Sequence, residues 1–304
     1  MLAQLLEART AVSSAYEGLF PPLLMPTMWE RPANIPALVR LIIAYMAKGK
    51  ALVLAKLEGV LGVFQKLLAS RATDAAACKL LSAIFSSFEA AELSQFMSPI
   101  FTLTLTRLQS NKKFGPSLVG CWAVFIARFG APALRSTLES LQPGLFLMLL
   151  NGLWKDGIGA VQGAVPRKAA AIGTARLLTE CPETLADEAT FGAVLHSLLV
   201  MLMHDQGIST APADADADDV ADGIEGADGA GGAGYAASYN QLTFAGGAEA
   251  DLYAAETVAP YLQKSLTRLN ASANGVLPGL LQRLVATMPA DKQAGVQAML
   301  QGVC

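Results

Sequence analysis

Lysine and arginine are missing from Leu177–Gln263, a stretch that holds 15 aspartates and glutamates. Residues 1–176 carry 18 basic against 9 acidic side chains, and residues 264–304 carry 4 against 1. The modest net charge of −3 therefore conceals segments of +9, −15 and +3. Segregation of this kind points to charged partners and says little about fold. Long apolar runs are also lacking. The longest candidate, Ser117–Ala127, is closed by Arg128, well short of the roughly 18 residues of a membrane span. The start, MLAQLLEART, has neither the basic opening nor the small-residue cleavage site of a signal peptide. A soluble chain is expected, without membrane insertion, even at a mean hydropathy of +0.42.

Cysteine is scarce and scattered. Cys78, Cys121, Cys181 and Cys304 form no CxxC pair, so buried free thiols in a reducing compartment are expected. The two histidines, His196 and His204, lie eight apart with no cysteine or carboxylate at ligand spacing, which suits a core or surface role better than a metal site. No GxSxG elbow, HExxH pair or Walker loop occurs, and no nucleophile with an orienting base can be assembled from local spacing. No active site and no cofactor are proposed, and the chain is read as a non-enzyme.

Two glycine- and aspartate-rich strings imitate known sites. Gly229, Gly231 and Gly234 spell GxGxxG, but an acidic tract precedes them where a dinucleotide fold needs a strand. Asp214, Asp216, Asp218, Asp222 and Glu225 match positions 1, 3, 5, 9 and 12 of a calcium-binding EF-hand loop. Asp219 stands where that loop turns on glycine, and no amphipathic helix follows Glu225. A calcium-responsive module through Asp214–Glu225 is the lesser alternative. Lys112 and Lys113 beside Arg107 have only Phe114 as an aromatic neighbour, so they read as a solvated loop and no nucleic-acid partner is expected. Asn270–Ala271–Ser272 fits a glycosylation sequon that an intracellular chain would not use.

What is present is helical periodicity. Strand signals are nearly absent, and amphipathic segments of about 12 to 20 residues recur. Helix starts near Asn34, Thr73, Lys113 and Arg167 are spaced close to the roughly 40–47-residue period of HEAT or armadillo repeats, with the last interval lengthened. The pairs read as Ile35–Ala47 with Leu57–Leu68, Thr73–Phe88 with Leu93–Leu108, Phe114–Phe129 with Leu134–Leu150, and Arg167–Glu180 with Ala189–Met203. Each pair alone leaves an apolar face wet, so stacking on its neighbours is what stabilises it. The expectation is an all-α HEAT/armadillo-like solenoid, a superhelical arch, with an irregular helical bundle as the alternative. Residues 1–204 form repeats, 205–250 an acidic Gly/Ala-rich insertion loop, and 251–304 further helical repeats.

Within this frame Leu23–Met46, LLMPTMWERPANIPALVRLIIAYM, is the most distinctive string. Pro26 and Pro32 break the period, Asn34 can cap the next helix, and Pro36 fits its first turn. Leu38, Leu41, Ile42 and Tyr45 fall on one face. This string resembles the C-terminal part of the exportin-2 (CAS) receptors of the importin-β superfamily. So, in the same order, do FQKLLAS (Phe64–Ser70), Ile100–Phe101 with Arg107–Gln109, LLTECP (Leu177–Pro182) and GYAASYNQLTFAG (Gly234–Gly246).

The resemblance implies a nuclear export receptor without catalysis, which binds importin-α together with Ran-GTP and returns it to the cytoplasm. It implies shuttling between nucleus and cytoplasm. The members are much longer, with their main Ran contacts in an N-terminal half, so a C-terminal portion and an uncapped apolar end near Met1 are expected. Candidate partner residues are Trp29, Glu30, Arg31 and Arg40, with the acidic set Asp214, Asp216, Asp218, Asp219, Asp222, Glu225 and Asp228. Other readings stand beside these: Trp29 as a packing anchor, Glu30 and Arg31 as a pair across the turn, Arg40 as a solvated helix position. Tyr235, Tyr239 and Phe244 read as pins for the end of the acidic loop. The acidic tract either attracts basic partners or keeps an apolar-rich solenoid soluble. A general helical-repeat scaffold without a transport role is the main alternative.

Overall fold

The computed structural model describes residues 1–208, 251–272 and 276–300, and among these there are helices and turns but no strand. The described residues fall into two compact units, Met1–Ser87 and a second that begins at Phe88. The acidic tract, Tyr235, Tyr239, Phe244 and Cys304 lie outside the described residues.

The first unit runs through α1 (Leu2–Glu7), α2 (Ser14–Leu23), 3-10 turns at Pro26–Trp29 and Pro32–Asn34, α3 (Ile35–Lys48), α4 (Lys50–Leu54), α5 (Leu57–Leu68) and α6 (Asp74–Ser87). Proline dictates the course between α2 and α3. Met25 and Arg31 each precede a proline and are extended, with ψ of 135° and 107°, because the pyrrolidine ring crowds the helical conformation of the residue before it. Pro26 and Pro32 then open a turn where no N–H is required.

Asn34 does not cap α3 with its side chain. It is itself helical (φ −86°, ψ −19°), and its amide donates to Arg31 O at 3.0 Å, so the 3-10 turn leads directly into the helix. Pro36 sits in the first turn as expected. Leu41, Ile42 and Tyr45 are buried as their spacing requires, but Val39 takes the core position expected of Leu38, which is half-buried. α3 packs on α1 and α6, and α5 packs on α6. Gly49 ends α3 where a Cβ would lie 2.6 Å from Val12 Cγ2, so any larger residue must push the Val12 side chain aside.

The second unit comprises α7 (Ala90–Ser110), a 3-10 turn at Lys112–Phe114, α8 (Gly115–Phe129), α9 (Ala131–Leu141), α10 (Leu145–Leu149), a π-helical turn at Leu150–Trp154, α11 (Lys155–Gly157), a 3-10 turn at Ile158–Ala160, α12 (Ala164–Glu180), α13 (Pro182–Ala186), α14 (Glu188–Ile208), α15 (Val258–Ser272), α16 (Val276–Thr287) and α17 (Ala290–Leu300). α7 starts with a capping box, in which Glu89 and Glu92 satisfy each other's backbone amides. No described helix is by itself long and apolar enough to cross a membrane. α8 and α9 are bent by 117° at Gly130, whose φ of +94° an L side chain would resist.

The expected single helix Leu134–Leu150 is broken. Gln142, before Pro143, is extended, and Gly144 is left-handed at φ +79°. The Glu139 carboxylate then accepts the amides of Gly144 (2.8 Å) and Phe146 (3.1 Å), supplying the orphan donors of α10.

α12 is the centre of this unit. It packs against α8, α14 and α15, and Ala169–Ala175 is buried on every side along with Leu177 and Leu178. Small residues permit this. A Cβ on Gly173 would stand 3.4 Å from Ala123 Cβ of α8. Thr174, at 0% exposure, donates its hydroxyl to Ala170 O (2.6 Å) and accepts Trp154 Nε1–H (2.8 Å), so neither polar group is stranded.

Candidate functional site

The two 3-10 turns between α2 and α3 place Trp29, Glu30 and Arg31 together, but facing different ways. Trp29 is buried at 3% exposure, and its indole N–H donates to Leu23 O at 2.9 Å. This is the packing geometry of an amphipathic ring whose polar edge has found a partner inside the fold. Glu30 and Arg31 are exposed, and among the described residues no ion pair joins them. Met25 and Met28 precede them, 55% and 44% exposed, so the turns offer two flexible apolar side chains and two opposite charges to solvent.

Arg40 is half-buried and paired. Its Nε and Nη2 donate to the two carboxylate oxygens of Glu7 at 2.8 and 2.7 Å, a fork that fixes α1 to α3. That hydrogen bond lowers the Glu7 pKa below the usual carboxylate range and raises that of Arg40 further. Tyr45 strengthens the same corner. Its hydroxyl donates to Tyr16 O at 2.6 Å, while the Tyr16 hydroxyl donates to Leu2 O at 2.9 Å. Burial pushes the Tyr45 phenol up to about 12, so it stays a donor.

Of the proposed partner residues, the structure brings together Trp29, Glu30 and Arg31, of which the two charged side chains are accessible. Arg40 belongs to an internal clasp. The acidic set Asp214 to Asp228 lies outside the described residues.

Sequence reasoning missed two polar constellations in the second unit. In the first, Arg176 donates to Ile126 O at the end of α8 (2.6 Å) and to Glu180 Oε1 (2.7 Å), while Glu180 accepts the Ala131 amide that opens α9 (3.4 Å). Burial depresses the guanidinium, but Glu180 and Tyr253 together more than offset it and the pKa rises. Lys168, two turns earlier on α12, pairs with Asp251 at 2.9 Å across 83 positions of sequence. In the second, an open cleft of about 530 Å³ lies between α14 and α16, lined by Gly192, His196, Leu280 and Leu284 and bridged by Glu188 and Arg283 at 2.7 Å. His196 thus lines a surface cleft, and among the described residues no group of three or more His, Cys, Asp or Glu is placed to hold a metal ion.

Cys78, Cys121 and Cys181 are buried and form no disulfide with one another. Burial pushes the Cys181 thiol up to about 12, which leaves it without thiolate character at neutral pH. Each unit offers recognition by charge and shape: the first a turn with exposed methionines beside a clasped corner, the second ion-paired helix edges.

Comparisons agree on one family. Residues 1–298 match a family described as CAS/CSE protein, C-terminus. Exportin-2 of Pagrus major is 36% identical over 292 residues, covering 92% of this chain and 29% of the relative. Exportin-2 of Danio rerio is 34% identical over 312 residues, covering 99% of this chain and 31% of the relative. The human Exportin-2 is 34% identical over 292 residues, with the same 92% and 29% coverage as the first. The chain thus spans about three-tenths of the length of these curated relatives. Among solved structures, the exportin Cse1 in its cargo-free, cytoplasmic state superposes with a TM-score of 0.73 at 20% identity, over 99% of this chain and 30% of the other. That likeness fixes the fold as all-α helical repeats of the HEAT type.

Proposed function

From the premise that the chain belongs to the CAS/CSE family and carries its C-terminal region, we propose that it is part of a nuclear export receptor. In this reading it binds importin-α in company with Ran-GTP and returns it to the cytoplasm, shuttling between the two compartments. It acts by binding and release and performs no reaction of its own. The observation that carries the proposal is the continuous match of residues 1–298 to the family's C-terminal region, with 34–36% identity to Exportin-2 of several vertebrates.

The charge pattern supports it. Seven carboxylates and no base between Asp214 and Asp228 project a field that attracts basic partners and raises the rate of encounter. Salt weakens such attraction, since the screening length falls to about 8 Å at physiological ionic strength. Glu30 and Arg31, exposed just after the exposed Met25 and Met28, are the partner-contact candidates in the first unit. The principal Ran contacts fall to the region that the longer relatives possess in addition.

The test is titration of the purified chain against importin-α, with and without Ran-GTP, at low and physiological salt. Saturable binding that weakens with salt is expected, and neutralising Asp214 to Asp228 should reduce the on-rate more than it raises the off-rate. Absence of saturable binding in every condition, with a full-length relative binding in the same assay, would remove cargo contacts from this region.

A further inference from the structure

The seven residues 251–257 run across α12 before α15 begins, and they form neither helix nor strand. Only Asp251 and Tyr253 turn toward the protein. Leu252, Ala254, Ala255, Glu256 and Thr257 are exposed, Leu252 at 36%. The segment is folded on itself by Ala254 N–H to Asp251 O (3.3 Å), Glu256 N–H to Tyr253 O (2.8 Å) and Tyr253 N–H to Asp251 Oδ1 (2.9 Å). It is tied to α12 by Lys168 Nζ on Asp251 Oδ2 at 2.9 Å. Tyr253 lies beside Arg176, yet its buried hydroxyl reaches no partner in hydrogen-bond geometry.

We propose that residues 251–257 are a latched strap, closed over α12 by the Lys168–Asp251 pair and opening as a unit while α12 and α15 stay folded. Three features lead to this. The strap's apolar anchorage is confined to the half-buried Tyr253 ring and the covered part of Leu252, while Ala254 to Thr257 are exposed, so less hydrophobic free energy opposes its release than that of a core helix. Its closed form leaves a buried phenol hydroxyl beside Arg176 without a well-formed hydrogen bond, and opening exchanges that contact for water. α15, by contrast, buries Leu262 and Leu266 at 1% and 0% exposure, so it keeps its own anchorage when the strap lifts.

Opening changes the surface of α12. Lys168, ion-paired in the closed form, becomes a free cation two turns before the Arg176–Glu180 pair. The strap therefore decides whether this edge of α12 presents a charge to an acidic ligand or hides it. A lysine held by one contact suits such a latch, because its point charge lacks the planar fork of arginine.

Hydrogen exchange on the full chain, read by mass spectrometry over peptides spanning 251–257, tests the proposal. In Lys168→Met the amides of Tyr253, Ala254 and Glu256 should exchange about five-fold faster, with peptides of 164–180 and 258–272 unchanged. Lys168→Arg should keep wild-type exchange. Tyr253→Phe should exchange no faster than wild type, since it removes the hydroxyl and keeps the ring. Raising ionic strength should accelerate exchange in the wild type and leave Lys168→Met unaffected. Faster exchange of 258–272 in step with 251–257 would overturn the idea of a separate unit. Unchanged exchange in Lys168→Met would overturn the latch.

Discussion

α3 and α12 solve the same problem, burying a helix against several neighbours, with opposite means. α3 uses large side chains: the Tyr45 ring lies 4.8 Å from Phe20 and 6.0 Å from Tyr16, centroid to centroid, and its hydroxyl ends on a backbone carbonyl. α12 uses almost none. Its buried stretch Ala169–Ala175 contains four alanines, one glycine, one isoleucine and one threonine, and it lets α8 come within Cβ contact. Aromatic packing concentrates stabilisation in a few rings, where truncation leaves a void. Small-residue packing spreads it along the helix, where enlargement is what does harm. The first unit should therefore be sensitive to deletion at α3 and the second to insertion at α12.

The largest effect is expected from Tyr45→Ala, which removes a fully buried ring from between α2 and α3. A loss of about 3–5 kcal/mol is expected for an aromatic-to-alanine change of this kind. Tyr45→Phe keeps the ring and loses one hydrogen bond, so about 1 kcal/mol is expected, with the Tyr16 carbonyl left short of a partner. Urea unfolding followed by helical circular dichroism would measure both. Equal losses in the two variants would mean that the hydroxyl, and not the ring, holds this corner together.

Next comes Gly173→Val. Its branched side chain must displace Ala123 and Ile126 of α8, whose atoms lie 3.4 to 3.6 Å from the missing Cβ. Overpacking of this order costs about 1–3 kcal/mol. Gly173→Ala, at ordinary contact distance, should be within about 1 kcal/mol of wild type and gains helix propensity. If valine were tolerated as well as alanine, α8 and α12 would be free to separate and the small-residue account would fail.

This difference also sets what the sequence reveals. Helix starts expected near Asn34, Thr73, Lys113 and Arg167 lie within three residues of Ile35, Asp74, Gly115 and Ala164, since a 3.6-residue apolar period survives wherever one helix face is buried. The π-helical turn at Leu150–Trp154 and the short helices around it were not legible. Gln142–Pro143–Gly144 carries loop punctuation inside the expected Leu134–Leu150 segment, and the helix does end there, with Gln142 extended and Gly144 left-handed; the apolar run LFLMLL resumes the period after it and hides the shift to π-helical geometry. Helices α1 and α2 escaped because their segments are short and Pro21 and Pro22 interrupt the second. For the site, burial of Trp29 follows from one of the two readings its surroundings allowed. The partners of Arg40 and Lys168, 33 and 83 positions away, leave no local trace, because ion pairs across a fold impose no periodicity.

The smallest effect separates the two ion-paired corners. Arg40 grips both oxygens of Glu7, whereas Lys168 meets a single oxygen of Asp251. Both carboxylates are held below their ordinary pKa, chiefly by the hydrogen bond from the base. Their contributions are therefore present above about pH 4–4.5, where the unfolded carboxylates are ionised, and fade as pH falls through the lower native values. Both sites are partly exposed, with side chains of Glu7 and Asp251 at 37% and 29%, so solvent screening limits each pair to about 1 kcal/mol or less. Glu7→Gln should lower global stability by about 0.5–1 kcal/mol at pH 7 and by nearly nothing at pH 3, because the fork joins α1 to a core helix. Asp251→Asn should leave global stability within about 0.5 kcal/mol at either pH, since it loosens a short segment outside the helical core. Urea midpoints at the two pH values measure the contrast. A pH-dependent global loss in Asp251→Asn as large as that in Glu7→Gln would show that the strap bears on the core as firmly as α1 does, and the distinction between clasp and latch would collapse.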